Sequence, residues 1–414
     1  MAAHGMETRS SQAMVYVPLA QRQTGFHKPT LAVGFCTPRR CLVIMAATLV
    51  VTTVFIQCLF SFRHAFSDMH LRTDIDGELV IVSPDIAHKH DATCLDGSSS
   101  PGYYFKKGMD DGEQKWLLAI PHSDWCNTLE LCQSRKEVPL LGTMKDAPVA
   151  HKFSGILSSD PMDNQYFSDW NMVYLVPCDG AAFLGNSSAS DINSKGANIL
   201  SAILDHLLLY TSLPLAEEVV FYGERSGAVS ALLYTSTVKR MLPLVSKFTT
   251  VLHSGLLLDV SSAYYDFSSL FRLHNIKDNN LLTGCHTSRC LQANIFLDRP
   301  PHTPILVYTS AAPKWVLQIL YGCEENETDR CSPGGATSKQ YLQNLMKLHS
   351  TAKPVKHLTI VVTSCELPFL TTPSNGDPII NKLSVYKLLA QSLSRSQSSG
   401  VYIEKGNCSS SRAI

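Results

Sequence analysis

The sequence predicts an α/β fold: a mainly parallel sheet flanked by helices, stapled by disulfides and preceded by one transmembrane helix. Three observations predict it. A long uncharged apolar stretch lies near the N-terminus, short β-rich runs alternate with helical segments after it, and the cysteines beyond it are even in number.

The apolar stretch runs from Cys41 to Phe62 and is closed by Arg63, with Gln57 its only strongly polar member. About 20 apolar residues in a helix cross a hydrocarbon core of roughly 30 Å. A cleaved signal peptide would have a shorter apolar core and would not follow a long polar segment, so residues 41–62 are expected to be a membrane anchor. Residues 1–40 mix Gln, Ser, Pro and Arg without periodicity and read as a disordered tail. That tail carries Arg9, Arg22, Lys28, Arg39 and Arg40 against Glu7. The other flank mixes Arg63 and Arg72 with Asp68, Asp74, Asp76 and Glu78. The positive-inside bias places the N-terminus in the cytoplasm, making a single-pass type II protein of the secretory pathway or cell surface.

Cysteine usage fits that orientation. Of 13 cysteines, Cys36, Cys41 and Cys58 lie in or beside the anchor. The other ten are Cys94, Cys126, Cys132, Cys178, Cys285, Cys290, Cys323, Cys331, Cys365 and Cys408. The short separations Cys126/Cys132, Cys285/Cys290 and Cys323/Cys331 suggest loop staples, and no paired C-x-x-C spacing suggests zinc. No metal or cofactor is expected. Glycosylation sequons stand at Asn186, Asn326 and Asn407, all beyond the anchor. With 35 basic and 35 acidic side chains there is no net positive field, which argues against nucleic acid as a partner.

Beyond the anchor, the runs Lys115–Ile120, Met172–Val176, Glu218–Tyr222, Phe248–Leu252, Ile305–Thr309 and His357–Thr363 are continuous and rich in Val, Leu, Ile or Phe. Such runs predict strands covered on both faces. Helical apolar spacing occupies Gly196–Tyr210, Gly227–Met241, Lys314–Leu320, Ser338–His349 and Ile379–Leu393. In an open α/β sheet, chemistry gathers at the carboxyl ends of the strands. After Glu218–Tyr222 comes Gly223-Glu-Arg-Ser-Gly227, leading into a helix. This is the setting of a G-x-S-x-G nucleophile elbow, with both glycines present and Arg225 at the centre.

Several pieces around this turn resemble the pectinacetylesterase/Notum family of α/β-hydrolase-like carboxylesterases. They are Cys94-Leu-Asp-Gly-Ser-Ser-Ser-Pro-Gly-Tyr-Tyr104, Trp116-Leu-Leu118, Trp125-Cys126 with Cys132, Ser134-Arg135 and Leu141-Gly142. Gly155-Ile-Leu-Ser-Ser-Asp-Pro161, Asn171-Met-Val-Tyr174, Cys178-Asp-Gly180, the Gly223–Gly227 turn, Ser254-Gly255 and Leu258-Asp259 follow in the family's order. The resemblance covers residues 94–395, leaving 63–93 as a stalk and 396–414 as a C-terminal tail. It implies an α/β-hydrolase-like domain and the disulfides Cys94–Cys178, Cys126–Cys132, Cys285–Cys290 and Cys365–Cys408, with Cys323–Cys331 added by proximity.

The resemblance also implies a Ser, Asp, His triad with a glycine-rich oxyanion loop, acting on acetylated or acylated glycan or protein substrates. Here Arg225 stands at the nucleophile position. Pro313 fills the acid position after Ile305–Thr309, and Pro368 fills the base position after the last strand. No histidine follows His357, which sits at the opening of its strand. The family's glycine-rich loop reads Pro121-His122-Ser123, followed by Asp124. His122, Ser123 and Asp124 mimic a triad in composition, but neighbouring side chains project apart, so a polar loop is the expected reading. Ser226 is a weak replacement nucleophile, because its hydroxyl should point away from the apex while its N–H lines the oxyanion hole.

For Gly97, Gly102, Tyr103 and Tyr104, turn and packing roles outweigh a ligand groove. Arg225 could bind an anion, but an ion pair with Glu224 or another carboxylate is the plainer expectation. His253 reads as a hydrogen-bonded structural histidine rather than a ligand contact. Two functions follow. One is a membrane-anchored pseudoenzyme whose degenerate site serves binding or interaction. The alternative is an active carboxylic ester hydrolase with a relocated nucleophile such as Ser226, served by His253 or His122. Loss of every triad position together favours the first.

Overall fold

The computed structural model describes residues 50–57 and 77–410, apart from 190–191, 261–262, 280, 283–284, 294–302, 325–328, 352–357, 365–377, 381–382, 396–399 and 405–407. Residues 50–57 are helical, and most of the proposed anchor lies outside the described residues. Among the described residues, no helix is long and apolar enough to cross a membrane.

The main sheet has ten strands. In chain order they are β1 (Gly77–Ile81), β2 (Gly102–Lys106), β3 (Lys115–Ile120), β4 (Ala150–His151) and β5 (Asn171–Leu175). They continue with β6 (Glu218–Glu224), β7 (Lys247–His253), β8 (Ile305–Ser310), β9 (Leu358–Thr363) and β10 (Gly400–Glu404). Their order across the sheet is β10-β9-β8-β7-β6-β3-β5-β2-β1-β4. The seven from β10 to β5 pair in parallel, whereas β2, β1 and β4 add an antiparallel edge. All six predicted strands are present within a residue or two. In β8 and β9 every side chain is buried, the reason these runs show no polar alternation.

The helices that matter here are α1 (Gly196–Tyr210), α2 (Ser226–Met241), α3 (Phe267–Leu273), α4 (Lys314–Tyr321), α5 (Ala336–Thr351) and α6 (Val385–Arg395). The predicted helix from Ile379 to Leu393 begins later. Pro378–Ile380 forms a short strand paired with Leu383–Ser384 and Cys408–Ser410, and the helix starts at Val385. Two adjacent β-branched residues after a proline favour extended backbone over helix. The segments read as stalk and tail also contribute to the sheet: β1 lies within 63–93 and β10 within 396–414.

Four disulfides close as expected: Cys94–Cys178, Cys126–Cys132, Cys285–Cys290 and Cys323–Cys331. Cys365, one half of the fifth expected pair Cys365–Cys408, lies outside the described residues, as do Pro368, His357, Asn326 and Asn407. Asn186 is half-buried and its side-chain amide donates to the Asp278 carbonyl at 2.5 Å.

Candidate functional site

The turn between β6 and α2 is built as a nucleophile elbow. Arg225 has φ 51° and ψ −111°, a strained conformation that the tight strand-to-helix turn imposes on its apex residue. The glycines explain how the turn closes. A Cβ on Gly223 would lie 2.3 Å from the Gly227 carbonyl oxygen, and one on Gly227 would lie 2.3 Å from that of Ile120 at the end of β3. A Cβ on Gly255 would lie 2.1 Å from the Arg225 carbonyl oxygen, so the backbone beyond β7 packs directly on the elbow. The Arg225 N–H donates to the His253 carbonyl at 2.9 Å, tying the apex to β7. The apex therefore presents a half-exposed guanidinium, which cannot attack an ester.

Ser226, one residue on, is fully buried. Its Oγ donates to the Ser123 carbonyl at 2.6 Å and accepts from the Ser123 N–H at 2.9 Å. His122 Nδ1 lies 3.0 Å from the same oxygen, and His122 Nε2 lies 2.9 Å from Asp124 Oδ1. Contrary to the sequence expectation, His122 and Asp124 do reach each other. The third member of the line is Ser226 rather than Ser123. The hydroxyl proton is given to the Ser123 carbonyl, which leaves His122 Nδ1 to donate, whereas a general base must accept at that nitrogen. The Ser123 amide, on the loop where the family holds an oxyanion, is spent on Ser226 Oγ. The His122 hydrogen bond, with the charges of His122, Arg135 and Arg225, holds the Asp124 carboxyl below its ordinary range against the upward push of burial.

At the positions that the resemblance assigns to the acid and the base, the sequence has Pro313 and Pro368. Pro313 caps the N-terminus of α4 with φ −71° and has no ionisable group. His253, at the end of β7, is 1% exposed, with Nδ1 2.5 Å from Tyr222 Oη and 3.3 Å from Glu224 Oε1. Burial first, and then the Glu224 charge, drive the Tyr222 phenol well above its ordinary range. His253 is thus the buried, hydrogen-bonded histidine that was expected, although its Nε2 finds no partner among the described residues. The register of β6 on β7, which sets Glu224 opposite His253, was not readable from the sequence.

Beyond the 121–124 loop, His274 is buried, with Nδ1 2.6 Å from Ser194 Oγ and Nε2 2.6 Å from the Cys126 carbonyl. Its ring lies beside the sulfurs of Cys126 and Cys132, but these share a disulfide and offer no thiolate to a metal. The motif residues near the N-terminus are structural, as expected. Tyr103 Oη meets His206 Nδ1 at 3.0 Å, Tyr104 Oη donates to the Pro148 carbonyl, and Gly97 takes a φ of 76°. An apolar cavity of about 530 Å³ opens beside the ends of β8 and β9, lined by Ala311, Leu342, Met346, Val362, Thr363 and Ile403 among others.

A parallel sheet with flanking helices, a strained strand-to-helix elbow and a loop folded over it define an α/β-hydrolase-like protein. Residues 72–356 match the pectinacetylesterase family, and the chain belongs to it. It is 30% identical over 267 residues to pectin acetylesterase 5 of Arabidopsis thaliana, covering 59% of this chain and 62% of that protein. Pectin acetylesterase 4 of the same plant is 30% identical over 246 residues, covering 56% and 59%. The palmitoleoyl-protein carboxylesterase NOTUM of Homo sapiens is 33% identical over 154 residues, covering 36% and 30%. The chain thus spans about 60% of the length of the plant relatives.

Proposed function

We propose that this chain is a membrane-anchored family member whose degenerate esterase site binds a ligand without hydrolysing it. The ligand class is an acylated or acetylated glycan or protein. One observation carries the reading: the elbow keeps its strained geometry but raises Arg225, while the hydroxyl of the next residue, Ser226, is fully buried and tied to Ser123. A substrate carbonyl cannot reach a hydroxyl with no exposed surface. The apolar cavity beside β8 and β9 has room for an acyl or acetyl group. The anchor at 41–62, the disulfides and the sequons support a type II glycoprotein of the secretory pathway or cell surface.

The experiment is turnover of p-nitrophenyl acetate by purified full-length protein. The expected rate equals that of buffer alone and does not change in Ser226→Ala. Hydrolysis that disappears in Ser226→Ala would establish the second reading, an esterase with a relocated nucleophile. The Ser226–His122–Asp124 hydrogen-bond line is what favours that reading.

A further inference from the structure

An exposed leucine is ordinary, but several large apolar side chains at one end of a domain mark a surface that something covers. Met162, Leu209, Tyr210, Leu215 and Leu244 are each between 64% and 91% exposed. All five stand on segments that lead into the amino ends of parallel strands. Met162 precedes β5, the last residues of α1 and the turn Leu213–Leu215 precede β6, and Leu244 precedes β7. They occupy the opposite end of the sheet from the Arg225 elbow, which follows β6. The Lys247 N–H and the Ser246 hydroxyl both donate to the Glu217 carbonyl, at 3.0 and 2.8 Å, so the turns carrying Leu215 and Leu244 are neighbours. Both turns are closed internally. The Leu215 N–H donates to the Ser212 carbonyl at 3.0 Å, and Lys239 Nζ donates to the carbonyls of Leu242 and Val245 at 3.2 and 2.8 Å. The core takes Leu213, Leu242 and Val245 and leaves Leu215 and Leu244 outside.

The chain enters the sheet at this same end. β1 runs in the direction of β5, because each pairs antiparallel with β2, and Glu78 and Val173 share the partner Phe105. Gly77 therefore also lies at the amino ends of the parallel strands. Residues 63–76, fourteen in number, separate it from the apolar stretch 41–62. Fully extended they reach about 50 Å at most, against about 19 Å for the four strand spacings from β1 to β6.

We infer that this end of the domain is a docking surface for the lipid bilayer that holds the chain's own anchor. The inference rests on the membrane-anchored reading and names the surface that meets the membrane. Prolines stiffen both turns, Leu213-Pro214-Leu215 and Pro243-Leu244, so their leucines enter the headgroup boundary without rearrangement of the backbone. A tyrosine, with an apolar ring and a polar tip, suits the same boundary. The exposed charges nearby are mixed, Arg240 and Lys247 with Glu217. Apolar contact rather than net charge therefore selects the partner, and zwitterionic lipid suffices. Docked in this way, the domain opens its elbow away from the bilayer, toward ligands in the aqueous phase.

The test is photolabelling of the full-length protein reconstituted in phosphatidylcholine vesicles that carry a diazirine-bearing phosphatidylcholine, with labelled peptides mapped by mass spectrometry. Labelling is expected in 207–217 and 241–247 as well as in 41–62. It is not expected at Val138 and Leu141, exposed apolar side chains beyond the carboxyl end of β3. Leu215→Asp/Leu244→Asp should lower labelling of the two loops about tenfold or more and leave that of 41–62 unchanged. Should the aspartates alter the circular dichroism, Leu215→Ser/Leu244→Ser reads the same loss. Labelling confined to 41–62, or loop labelling unchanged in a folded variant, overturns the inference. Loops that stay unlabelled while the leucine substitutions dissociate an oligomer would assign the surface to a second copy of the chain and likewise overturn it. Labelled loops with 41–62 unlabelled would uphold the lipid surface and remove the anchor, so the two readings fail separately.

Discussion

The Ser226 hydroxyl and the Ser123 backbone are joined twice, Oγ accepting the Ser123 N–H at 2.9 Å and donating to its carbonyl at 2.6 Å. A side chain next to the nucleophile position thereby fills the hydrogen-bonding capacity of the loop that would hold an oxyanion. This bond is structural, and removing it should cost stability rather than activity. Ser226→Ala leaves a buried N–H and a buried carbonyl without that partner, at a cost of about 1–3 kcal/mol. Urea unfolding of the variant measures it, and a change below a few tenths of a kcal/mol would contradict this role.

Gly227 tests whether the elbow's tight closure is real. Its missing Cβ would sit 2.3 Å from the Ile120 carbonyl oxygen and 2.6 Å from that of Pro121, both rigid backbone atoms. Gly227→Ala should destabilise the protein by about 2 kcal/mol or more through overpacking. A melting temperature equal to wild type would show that the turn is looser than described.

Acid should expose the loop that begins the family motif. Burial pushes the Asp96 carboxyl upward, but the N–H groups of Ser99 and Ser98 and the hydroxyls of Thr143 and Ser99 outweigh it and hold the group at about 2, against an ordinary 3.8. The folded value is the lower one. Its stabilisation is therefore complete above about pH 4 and is lost as pH falls towards about 2. Asp96→Asn should be less stable than wild type by about 2 kcal/mol at neutral pH, and the gap should close between pH 4 and 2. A gap that persists undiminished at pH 2 would contradict the assignment.

The sheet was legible where strands are largely buried on both faces, because β3, β6, β7, β8 and β9 are rich in apolar and β-branched residues without polar alternation. The edges were not. β1 is Gly-Glu-Leu-Val-Ile with only its first residue buried, and it pairs antiparallel at the margin of the sheet, where a strand needs little apolar content. At the site, the elbow with Arg225 at its apex could be read from spacing, since Gly223 and Gly227 mark its place after a strand. The burial of Ser226 and its grip on Ser123 could not, because they depend on how the β3 loop folds back over α2 across more than a hundred residues of chain. The same distance left open whether His122 or His253 would face Ser226; His122 Nδ1 lies 3.0 Å from Ser226 Oγ, which turns a polar loop into a hydrogen-bonded line.

Labelling with a fluorophosphonate probe tests the central claim most directly, because the probe reports an activated serine whatever the natural substrate. Purified full-length protein should remain unlabelled, and Arg225→Ser should remain unlabelled too, since the family resemblance sets Pro313 and Pro368 where the acid and base of an apex serine would stand. Labelling of the wild-type protein that is lost in Ser226→Ala, or labelling gained in Arg225→Ser, would contradict the account.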